Sequence, residues 1–461
     1  MKKLFTTIIM AAFALTSFAG GLLTNTNQHS AFVRNPARFA SLGIDAVYFN
    51  PAGTAFLQDG FHLSANWQMV WQDRDAIDLK NNNKKYEGNV YVPCMPTILA
   101  AYKTGDWTFS GFFGMPGGGG KAEFNNGLPS FDNLIGGLGA GLGAMVPVPM
   151  TITGASQFES TQYLFALQLG AAYKINDNLS AYAGVRANYT NNNYLGTIQA
   201  LADISAVPGM IPAPMTGVEM IAVNIDMDQS GIAFAPIVGL DYKVGNFNFA
   251  AKYEFRAVNT IENDTKKRDF TVGETMQQFG MEDEIMKLAG GALGSHLGGF
   301  EDGKKFRNDA PAMLSLAGSW QIIPRLQVMA GWNYYFDKDA KVQSLLYGSD
   351  NMTKLSRNTI EYLFGAEYKL TEKFLVSAGI QFSNFGINDT YTSDLGFTND
   401  SFMTGVGGKY SLTDKIDINF GYCYANYAPD KCVKEAGTPK ETITRYERKT
   451  HNATVGVDFR F

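Results

Sequence analysis

Alternating apolar and polar positions dominate the chain from Phe61 to its end. The segments 163–173, 247–256 and 326–336 each place apolar or aromatic side chains at every second position and small or polar ones between them. Because successive side chains of a strand point to opposite faces, this period predicts strands with one apolar and one mixed polar face. Segments of about ten residues with aromatic ends favour the lipid-facing wall of a membrane β-barrel, although a soluble sandwich or propeller would also alternate.

Connections between these segments alternate in length. Short turns lie at 103–106, 176–178, 244–246, 323–325, 371–373 and 413–415, and longer connections near 76–88, 122–158, 199–217, 263–307, 344–357, 388–399 and 430–444. Six short and seven long connections require fourteen strands with both chain ends on the short-turn side. The expected fold class is therefore all-β, an antiparallel transmembrane barrel of about fourteen strands. No blade-length repeat supports a propeller.

The N-terminal part differs from the rest. Residues 1–19 form a predicted signal peptide, with two lysines, an apolar run and a small-residue cleavage site. Residues 20–58 lack strand alternation and contain two rigid turns, Asn35-Pro36-Ala37 and Asn50-Pro51-Ala52-Gly53. We expect this segment to be a compact plug and residues 59–461 to form the barrel.

Composition excludes several classes of function. The mean hydropathy of -0.11 argues against a helical membrane protein, and the net charge of -5 against a nucleic-acid partner. Four scattered histidines, no nucleophile elbow and no metal-ligand spacing predict neither an enzyme nor a metal or cofactor site. Three irregularly spaced cysteines form no disulfide framework, although pairing of Cys423 with Cys432 stays open.

The final segment, 453–461, alternates up to a terminal Phe461. This ending looks like the assembly signal of bacterial outer-membrane proteins. We therefore expect the chain in the bacterial outer membrane, surrounded by lipid and inserted by the barrel-assembly machinery through its last strand.

With these features, the chain resembles the FadL-type outer-membrane transporters of long-chain fatty acids and other hydrophobic compounds. The resemblance covers nearly the whole mature chain, and the stretch 45–53 is similar to the family's N-terminal hatch motif. It implies that residues 20–58 are a hatch inside the barrel. It also implies passive transport of a hydrophobic small molecule without a cofactor.

The resemblance further implies a lateral opening where the third strand kinks inward. Here the strand that starts at Trp107 runs into a proline and glycines, namely Gly114, Pro116, Gly117, Gly118, Gly119 and Gly120. Proline cannot donate to a strand ladder and glycines weaken it, so the residue chemistry also predicts a break. The alternative is a glycine-rich turn into the following loop.

The resemblance also implies a ligand groove formed by two external loops, here 199–217 and 263–307. Its candidate residues are apolar: Met210, Ile211, Met215, Phe279, Ile285, Leu288, Leu293 and Leu297. Packing of these loops on each other as a lid is an equally good reading, and the Gly/Ala/Leu-rich loop 122–158 has no assigned role. Arg186, Lys252 and Arg256 are candidates to meet a ligand carboxylate, unless inward acids pair with them.

Two other functions remain open at this stage. A general porin would need an open lumen. A surface adhesin or structural barrel would bind a protein partner through its apolar external loops.

Overall fold

The computed structural model describes residues 23–25, 27–143, 149–207, 211–287, 298–343, 357–386, 392, 394, 396–434, 436–438 and 441–461. The predicted signal peptide lies outside these residues. Across them, sixteen strands form one sheet. The strands are β1 Gly60–Asp78, β2 Lys84–Thr104, β3 Trp107–Phe124, β4 Met150–Lys174, β5 Leu179–Ile204, β6 Met215–Val244, β7 Phe247–Glu254, β8 Thr260–Val272, β9 Lys305–Arg307, β10 Met313–Ile323, β11 Leu326–Tyr335, β12 Thr359–Lys369, β13 Phe374–Asn384, β14 Ser401–Thr413, β15 Ile416–Lys434 and β16 Thr442–Arg460.

The sheet closes on itself because β1 pairs with both β2 and β16. Both β7 and β8 pair with β6 and are separated only by residues 255–259, so they form one interrupted wall strand. In the same way, β9 pairs with β8 and β10 pairs with β7, so β9 and β10 form a second interrupted wall strand. The described chain therefore builds a closed antiparallel barrel of fourteen wall strands, which confirms the expected fold class.

The wall is much taller on one side than on the other. Strand β6 has 30 residues, whereas β11 has 10. At about 3.4 Å per residue, β6 is roughly 100 Å long, and a tilted membrane-spanning strand needs only about 9–11 residues. One side of the barrel thus rises well beyond the bilayer and supports the long connections.

The outer face of the wall is apolar and the inner face is polar, as the alternation predicts. The outer face exposes large apolar side chains such as Trp67, Trp71, Tyr91, Trp107, Phe109, Leu167, Leu169, Phe234 and Phe249. The inner face buries polar ones such as Ser64, Asn66, Gln68, Gln72, Asn188, Asn192 and Asn452. Outer aromatics meet across strands, as where the rings of Trp107 and Tyr173 lie 4.7 Å apart. An apolar outside and a polar inside suit a wall in lipid.

No helix in the described ranges is long and apolar enough to cross a membrane. The helices of the described residues include α1 Ser30–Arg34, α2 Ala46–Phe49, α3 Pro129–Gly143 and α4 Glu274–Gln278, and 3₁₀-helices lie at Pro51–Phe56, Gly298–Phe300 and Asp337–Asp339.

The N-terminal segment lies inside the barrel. Helix α1 contacts β1 and β13–β16, whereas the 3₁₀-helix contacts β2–β7 on the other side of the closed wall. Residues of both helices are almost entirely buried. A segment that touches opposite walls and is shielded from solvent can only occupy the lumen.

Strands run further into the long connections than the sequence pattern predicts, and the two connections assigned to the ligand groove show this clearly. Strand β5 continues to Ile204 and β6 begins at Met215, so the connection predicted at 199–217 shrinks to 205–214. The connection predicted at 263–307 similarly begins with β8 and ends with β9, which leaves 273–304. Inward apolar residues such as Ile198 and Ala202 are buried in the tall side of the wall, which keeps these segments in strand conformation.

Candidate functional site

The second Asn-Pro-Ala turn is fixed to the wall through Asn50. The Asn50 Nδ2 donates to the Ser41 carbonyl at 3.0 Å and also to Oδ2 of Asp241 on β6. Asn248 Nδ2 of β7 donates to the same Asp241 oxygen at 2.9 Å. A side chain at Gly53 would put its Cβ 2.8 Å from the Ser41 carbonyl oxygen, so only glycine fits this turn. The turn is thus a buried anchor between the N-terminal segment and two strands.

The first turn uses Asn35, whose Oδ1 accepts from the Ala37 backbone at 3.1 Å. Its side chain lies directly against Gly365 of β12, where a Cβ would overlap it. Nearby, Arg34 Nη1 lies 2.6 Å from Glu367 Oε1 and Arg38 Nε lies 2.7 Å from Asp45 Oδ2. Buried charges are tolerated here because each is paired.

Wall side chains also donate to carbonyl groups of the N-terminal segment. Gln168 Nε2 donates to Val47 at 2.9 Å, Ser180 Oγ to Ala52 at 2.8 Å, and Lys252 Nζ to Tyr48 at 3.0 Å. Short helices leave carbonyls without internal partners, and these wall donors satisfy them. The lumen is therefore polar because it must hold a folded peptide.

Arg186 and Lys252, two of the three cations predicted to meet a ligand carboxylate, form ion pairs within the protein. Glu254 accepts from Arg186 Nη1 at 2.7 Å and from Lys252 Nζ at 2.7 Å, and all three side chains are buried. The Arg186 guanidinium also lies 4.6 Å from the Tyr48 ring centre. Pairing with an inward acid, the alternative left open above, is the arrangement that the structure contains.

The third cation, Arg256, does not lie on an inward strand face as predicted. It falls in the interruption between β7 and β8, donates to the Asp339 carbonyl, and lies 3.9 Å from Asp309 Oδ2. Its side chain is 38% exposed. The prediction was wrong because β7 ends at Glu254. The rule that every second residue points inward therefore no longer applies at Arg256.

The wall is broken between β2 and β3. Pairing runs from Thr104↔Trp107 to Ile98↔Phe113 and resumes only at Val90↔Ala122. Residues 91–97 and 114–121 therefore do not pair with each other, although β3 stays paired to β4 through two register shifts. Gly118 and Gly120 have positive φ angles of 98° and 76°, which permit the distortion.

Prolines border this break on both strands. Pro116 lies in β3, and Pro93 and Pro96 lie in β2. The two prolines of β2 were not among the residues predicted for the break. None of the three can donate to a ladder. Two prolines within one strand were the signal that could have located the second edge of the break. Gly114, Gly117 and Gly119 also lie in the part of β3 that does not pair with β2.

The break adjoins a cavity of about 130 Å³ inside the barrel. Its lining includes Met115, Pro116 and Gly117 from the break, together with Val92 and Met95 of β2. Gln28 of the N-terminal segment donates from Nε2 to the Met115 carbonyl at 2.8 Å. The inner side of the break is thus both lined by apolar side chains and contacted by the segment that fills the lumen.

Arg74 and Arg448 line the same cavity, and the sequence reading did not select them. Their inward positions follow from the alternation, since each lies two residues from a cavity-lining polar residue, Gln72 or Thr450. Their proximity to each other does not follow from it, because it depends on how the first and last strands pair.

The external connections meet in one large apolar cluster above the barrel. Ile211 and Ile285 are buried in it, together with Phe300 and with Ile135 of α3, and Met215 packs against it. Phe279 instead is 47% exposed. The candidates Met210, Leu288, Leu293 and Leu297 lie outside the described residues. Helix α3, whose loop had no assigned role, is therefore part of this packed assembly.

One buried constellation resembles a catalytic triad but does not have its geometry. His29 Nε2 lies 3.0 Å from Ser64 Oγ and 3.1 Å from Asp458 Oδ1. His29 Nδ1 accepts a hydrogen bond from the Ala31 backbone at 2.9 Å, so Nε2 carries the proton and donates. A donating Nε2 cannot take the proton of Ser64. Within the described residues no cluster of three or more potential metal ligands occurs.

Comparisons with known proteins agree with this geometry. The family model described as outer membrane protein transport protein (OMPP1/FadL/TodX) matches residues 10–461. A Pseudomonas aeruginosa FadL homologue has a similar structure, with a TM-score of 0.68 at 15% identity, covering 96% of this chain and 100% of that chain. The Pseudomonas putida toluene transporter TodX gives 0.59 at 14% identity, with coverages of 98% and 100%.

The Ralstonia pickettii toluene transporter TbuX gives a TM-score of 0.54 at 16% identity, covering 91% of this chain and 94% of that one. No curated protein matches the chain by sequence. At these identities the structures establish the barrel fold, and the family match extends over nearly the whole chain. The matched family is one of outer-membrane transport proteins, which confirms the expectation that the chain is not an enzyme.

Proposed function

The chain belongs to the outer-membrane transport family OMPP1/FadL/TodX, and we propose that its hydrophobic substrate leaves sideways through the break between β2 and β3. The barrel lies in the bacterial outer membrane and serves the transport of hydrophobic compounds. In the proposed route, a molecule is captured by the external loops, enters the lumen, and passes into the bilayer at the break.

The observation that carries this proposal is the unpaired stretch of wall beside a cavity whose lining next to the break, Met115, Pro116, Val92 and Met95, is apolar. An apolar solute gains about 0.8 kcal/mol for each CH₂ that stays out of water. A water-filled exit would forfeit that gain along the whole molecule. An opening in the wall lets the solute move from apolar side chains directly into lipid.

The N-terminal segment, residues 20–58, serves as the hatch in this scheme. Its carbonyls and its Asn-Pro-Ala turns are hydrogen-bonded to the wall, which opposes a continuous aqueous channel. A general porin would show a large steady conductance in planar bilayers, whereas we expect this chain to show none. The external loops would bind the substrate first through apolar side chains that stay exposed beside the packed cluster, such as Phe279.

Two further partners, lipid and the barrel-assembly machinery, are expected from the position of the barrel in the outer membrane. The outer aromatic face contacts outer-membrane lipid. The last strand, β16, would be recognised by the barrel-assembly machinery.

A variant that rebuilds the wall tests the route. Replacing Pro93, Pro96 and residues 116–120 by valine and threonine restores backbone donors and strand propensity on both edges of the break. We expect cells with this variant to lose uptake of a labelled hydrophobic probe, while the purified variant still binds the probe. Gly136→Thr is the matched control, because an added Cβ at this exposed position in α3 meets nothing within 4 Å.

Unchanged uptake by the rebuilt wall would contradict the lateral route. Wild-type protein that neither binds nor imports any hydrophobic probe, but mediates attachment to a protein partner through 273–304, would support the adhesin function instead.

A further inference from the structure

Part of the external connection between β13 and β14 turns into the barrel. We call its described residues Asp394 and 396–399 the inner cover. Phe397 is completely buried, and its ring stacks on Tyr446 of β16 with the ring centres 4.7 Å apart. Asn399 Nδ2 donates to the Tyr446 carbonyl at 3.1 Å. The inner cover is thus fixed to the inner face of the last strand.

The inner cover lies on the external side of the cavity beside the break. Thr398 lines that cavity, as do Arg74 of β1 and Arg448 of β16. Ala76 and Tyr446 lie two residues further toward the external ends of these strands and pack in one cluster with the inner cover. The inner cover therefore lies between the cavity and the external loops.

Asp394 joins the inner cover to helix α3. Its Oδ1 accepts from the Tyr446 hydroxyl at 2.5 Å, and its Oδ2 accepts from the Ser130 backbone N–H in the first turn of α3 at 2.7 Å. The first turn of a helix presents N–H groups without partners inside the helix, so a carboxylate is stabilised there. Hydrogen bonds to a charged acceptor are also stronger than neutral ones. One side chain therefore ties α3 to β16.

Helix α3 belongs at the same time to the external apolar cluster. Phe131 and Ile135 of α3 are buried in that cluster. Asp132 Oδ2 accepts from the Tyr86 hydroxyl of β2 at 2.6 Å, and Tyr86 packs in the same cluster as Phe397 of the inner cover. The helix thus contacts both the loops proposed to capture substrate and the inner cover above the cavity.

We propose that the inner cover closes the cavity toward the outside and that Asp394 is its latch. The cavity opens to the external loops when α3 and the inner cover separate. A local opening that breaks few hydrogen bonds costs much less than global unfolding, so the inner cover can lift while the barrel stays closed. This inference rests on the proposed route and adds a gated entrance to it.

Thiol labelling of the purified protein measures this opening without any substrate. Cys432 of β15 is buried in the cluster with the inner cover, and its Sγ lies 3.9 Å from the Thr392 carbonyl oxygen. Cys94, which is exposed, is first replaced by serine. A water-soluble maleimide then reaches Cys432 when the inner cover lifts, and peptide mapping identifies the labelled thiol. We expect Asp394→Leu to speed this labelling by about tenfold or more, because it removes both hydrogen bonds of a charged acceptor. Tyr446→Phe removes one of the two donors and should give an intermediate rate.

Asp203→Leu is the matched control, because Asp203 Oδ1 accepts a backbone N–H, that of Gly217, at 2.8 Å in another external connection. Equal labelling of Cys432 in Asp394→Leu and Asp203→Leu would overturn the latch. Faster labelling with an equal loss of stability against urea would mean that Asp394 only stabilises the fold, which also overturns the latch. Because no substrate takes part, either failure leaves the lateral exit standing, and the rebuilt wall tests that exit separately.

Discussion

Replacing Glu254 by glutamine should destabilise the barrel strongly. Glu254 accepts from both Arg186 and Lys252, at 2.7 Å each, and all three side chains are buried. The substitution leaves two buried cations without a counter-charge. Removing one partner of a buried ion pair costs about 3–5 kcal/mol.

Neighbouring acceptors place the expected cost near the lower end of that range. Gln168 Oε1 accepts from Arg186 Nη2 at 2.7 Å, and the Tyr48 carbonyl accepts from Lys252 at 3.0 Å. Both contacts survive in Glu254→Gln. We therefore expect the free energy of unfolding to fall by about 3 kcal/mol, which is roughly a hundredfold in the folding equilibrium.

Reversible urea unfolding in lipid vesicles, followed by tryptophan fluorescence, measures this change. Lys252→Met is the informative comparison, because it removes a cation and keeps the Arg186–Glu254 pair; it should cost about 1–2 kcal/mol. Asp177→Asn breaks an exposed pair with Lys174 and should have no measurable effect. A Glu254→Gln variant as stable as Asp177→Asn would refute the reasoning.

Two further predictions concern the hatch and the external loops. Asn50→Ala removes the donor to Asp241 and Ser41, so hatch docking should weaken by about 1–3 kcal/mol and planar-bilayer conductance should rise; unchanged conductance would argue against this anchor. Ile285→Ala should destabilise the external cluster by about 2 kcal/mol or more and speed proteolysis within 273–304. Phe279→Ala is its exposed control and should leave proteolysis unchanged.

The number of wall strands and the loading of their faces could be predicted because both depend on local alternation. A two-residue period is read from neighbouring positions, and it held for segments such as 163–173 and 326–336. The interruption at 255–259 could not be read in this way. The interruption breaks the two-residue period at Arg256. That residue was therefore predicted on an inward strand face, although it lies between two strands.

Side-chain partners across the barrel depend on register and closure, which the alternation does not specify. The inward direction of Arg186 and Lys252 was correct, but their shared partner Glu254 depends on how β5, β6 and β7 align. Arg74 and Arg448 come from opposite ends of the chain and meet only because β1 pairs with β16. The break at β3 was predicted from its glycines and proline, whereas the contribution of β2 was not.

The central claim is that substrate passes through the break, and a reversible cross-link across it is the most direct test. Cys94 of β2 is exposed, whereas Cys423 and Cys432 are buried. Lys121 of β3, on the other edge, is also largely exposed, with its ion pairs to Glu123 and Glu159 at the surface. Lys121→Cys therefore places a second accessible thiol across the opening.

A short reducible cross-linker would join these two thiols in cells, and Lys121→Cys combined with Cys94→Ser is the control that cannot be joined. The account predicts that cross-linking stops uptake of a labelled hydrophobic probe and that reduction restores it. Full uptake through a cross-linked wall would contradict the account, because the substrate would then reach the periplasm by another path.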